Sequence, residues 1–342
     1  MYGKAFAPEY QGQLRDMSVN TAYENVLAAA LERESQAVDE GSGLELAQAR
    51  LAVAEAYRRL GQLDEADAAW RASYRAARDA GEQGAMAWAL WSGGTLARQR
   101  GQMTAAVRWL SSARDLAKQA GELIAYGYSV AGIAETLRIR GDYAEARVLH
   151  EELLAEARRR GECRHTVWAL EGLAQLDRNA GDLDSAWRRF EEAAEIAEAG
   201  GDERGLAWAL RGLADVMSLR GEHDEALRRL SRAEQICRRM DLTSALAYNR
   251  KMRGNVLFRA CWYGEAARTY RGAQKMFRSI NEPRGAALAE LGLLKSHDKL
   301  GRPRSATERD LRALRDALDS RELRHTRRMV EEAISEMAEI AA

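Results

Sequence analysis

Apolar residues recur along this chain at spacings of three and four, and the pattern itself returns every forty residues. Leu210, Leu213 and Met217 make one such stripe, followed by Gly221 and then Ala226. Glycine occupies the equivalent position at Gly61, Gly101, Gly141, Gly181, Gly221 and Gly301, with Cys261 filling the one gap. A second series, offset by twenty, reads Gly41, Gly81, Gly121, Gly161, Gly201, Asp241 and Asn281. Asp and Asn are the non-glycine residues that best tolerate a left-handed backbone, so both series read as helix C-caps. An alanine stands five residues after every member of the first series, from Ala66 to Ala306, which marks a close helix–helix approach. The unit is helix, tight turn, helix, tight turn, with about twenty residues per half.

The expected fold is therefore all-α. It is a solenoid of about sixteen helices, with pairs beginning near residues 41, 81, 121, 161, 201, 241 and 281. The organisation has three parts. Residues 1–40 are an N-terminal segment with an orphan second helix, in which Tyr23 matches Leu63, Tyr143 and Tyr263. Residues 41–320 hold seven helix pairs. Residues 321–342 are an orphan first helix, with Leu323, Thr326, Val330, Ala333 and Met337 on one face and charge on the other.

Leu210, Leu213, Ala214, Gly221, Ala226 and Ala233 together resemble the tetratricopeptide repeat. The forty-residue step, with its "GDERGLAWA" type of linker, is similar to the longer repeats of kinesin light chain and of the Leu-Gly-Asn spindle-orientation protein. It also resembles the repeat arrays of bacterial peptide-responsive and ATPase-linked regulators. The resemblance spans about residues 41–320. It implies a right-handed superhelix whose concave surface is lined by a second stripe of the first helices, and a role in holding peptides or partner proteins.

That second stripe runs through positions 208, 211, 215 and 218 of the fifth pair. Position 208 gives Trp88, Tyr128, Trp168, Trp208 and Tyr248 in five consecutive pairs; Trp91 stands beside the first. Position 215 is polar throughout and includes Glu135, Gln175 and Asp215. Position 218 gives Arg58, Arg98, Arg138 and Arg178, then breaks at Ser218. Position 211 varies freely and includes Trp91, Glu171, Arg211 and Lys251; position 212 includes Gly132, Gly172 and Gly212. Two readings of the aromatic ladder stand. The rings form an exposed concave patch of roughly 300–600 Å², or they pack between neighbouring repeats. The glycines either let first helices approach or leave a slot beside the ring. Glu55–Arg58 and Glu135–Arg138 are also ordinary helical ion pairs, three residues apart. On the functional reading, the site centres between residues 88 and 215.

Composition narrows the picture. Fifty-two basic residues balance fifty-two acidic ones, so no overall field draws the chain to nucleic acid or membrane. Three prolines in 342 residues fit nearly unbroken helix. The N-terminus lacks the apolar segment of a signal peptide, and no apolar run reaches membrane-spanning length. Cys163, Cys237 and Cys261 fit no metal framework and read as reduced thiols of a cytoplasmic protein.

Catalytic chemistry is sparse. No GxGxxG or P-loop occurs, "HEELL" at His150 lacks its second histidine, and Cys163 with His165 reads as incidental. His223, His297 and His325 read as solvated surface residues. Lys251 and Asn255 begin a carboxylate clamp of the resembled family, but Lys295 stands where its next asparagine belongs. Trp262 replaces the polar residue of other copies and is expected to be partly exposed, as a partner contact.

The expected function is a non-catalytic binding module or adaptor without a cofactor. Its groove residues are Trp88, Trp91, Tyr128, Trp168, Trp208, Tyr248, Glu135, Gln175, Asp215, Arg98, Arg138, Arg178 and Arg211. The expected partner is a peptide or protein segment with apolar and acidic groups. Alternatives are a small-molecule or enzymatic site within the superhelix, where Glu135, Glu171 and Asp215 would supply acid or base, and a self-associating scaffold.

Overall fold

A computed structural model describes residues 23–319 and 322–339; the expectations for residues 1–22, 320–321 and 340–342 lie outside the described residues. Sixteen helices are seen among the described residues. The first, α1, is Tyr23–Glu40. Pairs follow at α2 Gly43–Arg59 and α3 Leu63–Asp79, α4 Gln83–Gln99 and α5 Met103–Ala120, α6 Leu123–Arg140 and α7 Tyr143–Arg160, and α8 Cys163–Asn179 and α9 Leu183–Gly200. The remainder are α10 Glu203–Leu219 and α11 His223–Arg239, α12 Thr243–Arg259 and α13 Tyr263–Ser279, α14 Pro283–Lys299 and α15 Arg304–Asp319, then α16 Arg324–Glu339.

The helices end where the two capping series end them. All eleven glycines of the series have positive φ, and so do Asp241, Cys261 and Asn281. The following residue closes the turn with a backbone bond five residues back, as in Gln102 N–H to Ala97 O at 2.9 Å. That is the Schellman arrangement a left-handed cap produces. Ala66, Ala106, Ala146, Ala186, Ala226 and Ala266 are buried, whereas Ala306 in the last pair is half-buried.

Each helix packs on its chain neighbours, and each first helix also packs on the first helix of the next pair. The first helices thus form one continuous inner wall, with the second helices outside it. The wall curves until its ends meet. The Asn281 side chain donates to Gly61 O at 2.8 Å, and Gln99 Nε2 donates to Ile280 O at 2.9 Å. The Thr104 amide donates to the Glu322 carboxylate, and Tyr143 Oη lies 2.9 Å from His325 Nδ1. Met103 and Ile139 share a core with Leu323 and Val330 of the last turn and helix. The solenoid is a closed superhelical turn.

Candidate functional site

Closure turns the concave surface into a central chamber of about 440 Å³, lined from Tyr23 to Met329. The wall is built from the first helices, because their contacts with one another leave only their second stripe facing inward.

The aromatic ladder is continuous. Trp88 and Trp91 lie 5.4 Å apart and each meets Tyr128 at 5.4 Å; Tyr128 meets Trp168 at 5.6 Å, and Trp168 meets Trp208 at 6.2 Å. The rings are tilted or edge-to-face, as their quadrupoles favour. Its upper rungs are core. Trp88, Trp91 and Tyr128 are only 3%, 5% and 6% exposed, and Trp88 is absent from the chamber wall. The expected exposed patch is thus replaced by a packed spine, whose half-buried lower rungs, Trp168 and Trp208, face the cavity.

The glycines beside the ladder leave no slot. A Cβ on Gly212 would stand inside the ring of Phe190, on Gly172 inside that of His150, and on Gly292 inside that of Tyr270. The preceding second helix fills the space. Sequence position alone could not show this, because the ring comes from the column Trp70, Leu110, His150, Phe190, Leu230 and Tyr270, twenty-two residues upstream.

The arginine row divides. Arg58 binds Glu55 at 2.8 Å and Arg138 binds Glu135 at 2.7 Å, the helical pairs the spacing predicts. Arg178 reaches across to Asp215 at 3.2 Å, where Arg259 also binds at 2.8 Å. Arg98 makes no ion pair among the described residues, although it lines the chamber; burial lowers its pKa. Burial raises the Glu135 carboxyl, but Arg138 overcomes it and holds the group at about 2. Glu171 has no such partner, and burial pushes it well above the usual carboxylate range. Gln175 also lines the wall.

Several wall residues were not among the groove residues read from the sequence. Arg164, Arg204 and Arg284 share one repeat position, four residues before the aromatic column, and all three line the chamber. Reading that column would have found them. Arg164 is held by Asp202 through two 2.7 Å bonds, whereas the Arg204 guanidinium lies 4.9 Å from the Trp208 ring. The freely varying position supplies Trp91, Glu171, Arg211 and Lys251, all on the wall. The site therefore spans all the repeats rather than residues 88–215. Eleven arginine and lysine side chains line it against four carboxylates, in a chain whose net charge is zero.

Other expectations fall outside the chamber. Trp262 is 49% exposed and caps α13 without a side-chain bond. Cys163 is core, its thiol directed at Ile196 O, and His165 lies edge-on to Tyr128 at 5.2 Å. His325 is not a solvated surface residue: it lines the chamber at the seam, where burial lowers it to about 4. Asn255 accepts from Tyr270 Oη at 2.8 Å, and Lys295 pairs with Glu336, away from any clamp. No group of histidine, cysteine and carboxylate side chains suited to a metal occurs among the described residues, and none of their helices is long and apolar enough to cross a membrane.

Residues 124–199 and 180–239 match the model of the tetratricopeptide repeat. The chain matches no curated relative. Among solved structures it is similar to a Rap protein complexed with competence and sporulation factor, with 16% identity, a TM-score of 0.54 and coverage of 76% of this chain and 77% of that one. The Rap conjugation gene regulator of plasmid pLS20, solved with Phr* peptide, gives 14%, 0.57, 82% and 78%. Aspartyl phosphate phosphatase F from Bacillus subtilis gives 12%, 0.51, 86% and 80%. At these identities the likeness is one of fold.

Proposed function

This chain is a tetratricopeptide-repeat protein, and we propose that it is a non-catalytic binding module that receives a short peptide, or a segment of a partner protein, in its central chamber. The observation that carries this is the wall itself: a large excess of cations beside Trp168 and Trp208, inside a neutral chain. Buried cations in excess of their counter-charges oppose folding, and an anionic ligand offsets that cost. The half-buried rings offer stacking contacts of about 0.5–1.5 kcal/mol each. The fitting ligand therefore combines acidic and apolar groups. The fold likeness to a regulator solved with Phr* peptide supports a peptide in this position. Three free thiols fit a reducing compartment, and we place the protein in the cytoplasm.

A second reading has one observation in its favour. A volume of 440 Å³ lies within the roughly 300–1,000 Å³ of small-molecule sites, so a compact anionic metabolite also fits. The test exposes immobilised wild type and Trp168→Ala to a pool of random hexapeptides with free C-termini, and sequences what is retained by mass spectrometry. The wild type should enrich peptides carrying an acidic and an apolar side chain. The variant should lose about tenfold or more in retention at unchanged helicity. No enrichment, or equal enrichment by both proteins, rejects the peptide reading in favour of the compact ligand.

A further inference from the structure

Where a cation of this fold is architectural, it has an acid. Arg164 is clasped by Asp202 and Arg138 by Glu135, both in short paired bonds. Four cations on the chamber wall are treated differently. Arg98 of α4, Arg211 of α10, Lys251 of α12 and Arg284 of α14 make no ion pair among the described residues. The nearby carboxylates are engaged elsewhere or uncharged. Asp215 is taken by Arg178 and Arg259, Glu282 caps the Gly285 amide, and burial keeps Glu171 protonated well above the usual range.

The four belong to one cluster. The Arg211 and Arg284 guanidiniums stand 5.8 and 5.9 Å from the centre of the Tyr248 ring, and Arg284 also donates to Tyr248 Oη at 3.3 Å. Arg284 Nε is buried without an acceptor. Lys251 feels the charges of Arg211 and Arg284, and Arg98 feels that of Arg284. Arg98 and Arg284 come together only through the seam, where Gln99, next to Arg98, bonds Ile280 O. Like charges gathered in a partly desolvated cavity repel, and a multivalent anion is the group that reverses the sign of that interaction.

We infer that Arg98, Arg211, Lys251 and Arg284 form an anion subsite that grips a carboxylate or phosphoryl group of the ligand. This rests on the chamber being a binding site. Its guanidinium donors suit the paired oxygens of either group. The lysine, brought to about 7 by burial and by neighbouring arginines against the pull of Asp215, regains its full charge when the anion arrives.

The test uses the full chain and two probes, sodium pyrophosphate and citrate, at matched ionic strength. Thermal unfolding is followed in the wild type and in an Arg98→Gln, Lys251→Gln double variant. Lysine reactivity toward limiting acetic anhydride is mapped by mass spectrometry in the wild type alone, so this arm stands even if the variant does not fold. Without anion, Lys251 should acetylate faster than the other five lysines, and a bound anion should slow it about fivefold or more. The wild type should melt higher with anion; the double variant should melt at or above the anion-free wild type and show no anion shift. A response to pyrophosphate alone assigns phosphoryl groups, to citrate alone carboxylates, and to both either group. No protection of Lys251, or a melting shift that survives in the double variant, overturns the subsite. Protection without retained hexapeptides keeps the subsite and removes the peptide reading; retained hexapeptides without protection do the reverse.

Discussion

The side-chain amide of Asn281 donates to the backbone carbonyl of Gly61 at 2.8 Å, joining two helix C-caps 220 residues apart. Both residues hold left-handed backbone, with φ of +49° and +80°. Each therefore turns a chain corner outward, and the corners touch. Asparagine serves at 281 for two reasons: it tolerates the cap, and its side chain reaches across the seam.

That contact separates two glycines of equal conformation. A Cβ on Gly61 would lie 2.8 Å from the Ile280 backbone, whereas one on Gly81 meets nothing within 4 Å. Gly81→Ala should cost about 1 kcal/mol of backbone strain and leave the shape unchanged. Gly61→Ala should also part the seam, raising the radius of gyration by small-angle scattering at unchanged helicity. Equal scattering from the two variants would show that the seam does not hold the turn closed.

Gly212 should behave as a packing glycine. Gly212→Ala drives a methyl into the Phe190 ring and should cost about 1–3 kcal/mol in urea unfolding. Phe190→Leu, the residue found at Leu110 and Leu230, should recover much of that loss when the two changes are combined. Additive losses would place the clash elsewhere.

The two ends of the aromatic spine should respond differently to truncation. Trp88→Ala opens a cavity in a closed core and should destabilise by about 3–5 kcal/mol. Trp168→Ala removes a half-buried ring on the chamber wall, so its stability loss should be smaller. Denaturant midpoints of the two variants decide this.

His150 makes the fold acid-sensitive. It is fully buried, both ring nitrogens lack a hydrogen-bond partner, and burial lowers its pKa from 6.5 to about 4. The folded chain therefore resists a proton that the unfolded chain accepts. Stability is complete above pH 6.5 and falls by up to about 1.4 kcal/mol per pH unit as the pH drops toward 4. His325, lowered to the same region, adds to the fall. His150→Leu should flatten the stability profile in that window while matching the wild type in packing at pH 8.

Trp262 offers a converse case. Asp182, at the equivalent position, caps its helix through Ser185 N–H at 2.9 Å, whereas Trp262 makes no cap bond. Trp262→Asp should therefore stabilise the chain by about 0.5–1 kcal/mol. A clear loss of melting temperature would mean that the ring packs more than its exposure implies.

Much of this architecture is visible residue by residue in the sequence. The left-handed caps were legible because only glycine, asparagine and aspartate take that backbone cheaply, and even Cys261 was placed by its period. The Glu135–Arg138 pair was legible because both ends lie on one helix turn. The aromatic column was legible as a column, but not the split between buried Trp88 and chamber-facing Trp168, which depends on how neighbouring first helices pack. Position 211 looked uninformative because it varies; in the chamber that variation is what places Arg211 and Lys251 against Arg284.

The sequence by itself determined everything whose cause lies within one repeat or between adjacent repeats: helix ends, pairing order and the inward stripe. Those follow from backbone preference and from a hydrophobic period that each repeat states again. Only the tertiary structure decided that the superhelix closes, and with it the meeting of Asn281 with Gly61 and of Arg98 with Arg284. The physical reason is accumulation. Each repeat turns slightly relative to the last by an amount set by side-chain packing, and whether seven such small rotations bring the ends into contact depends on their sum, which no single column encodes.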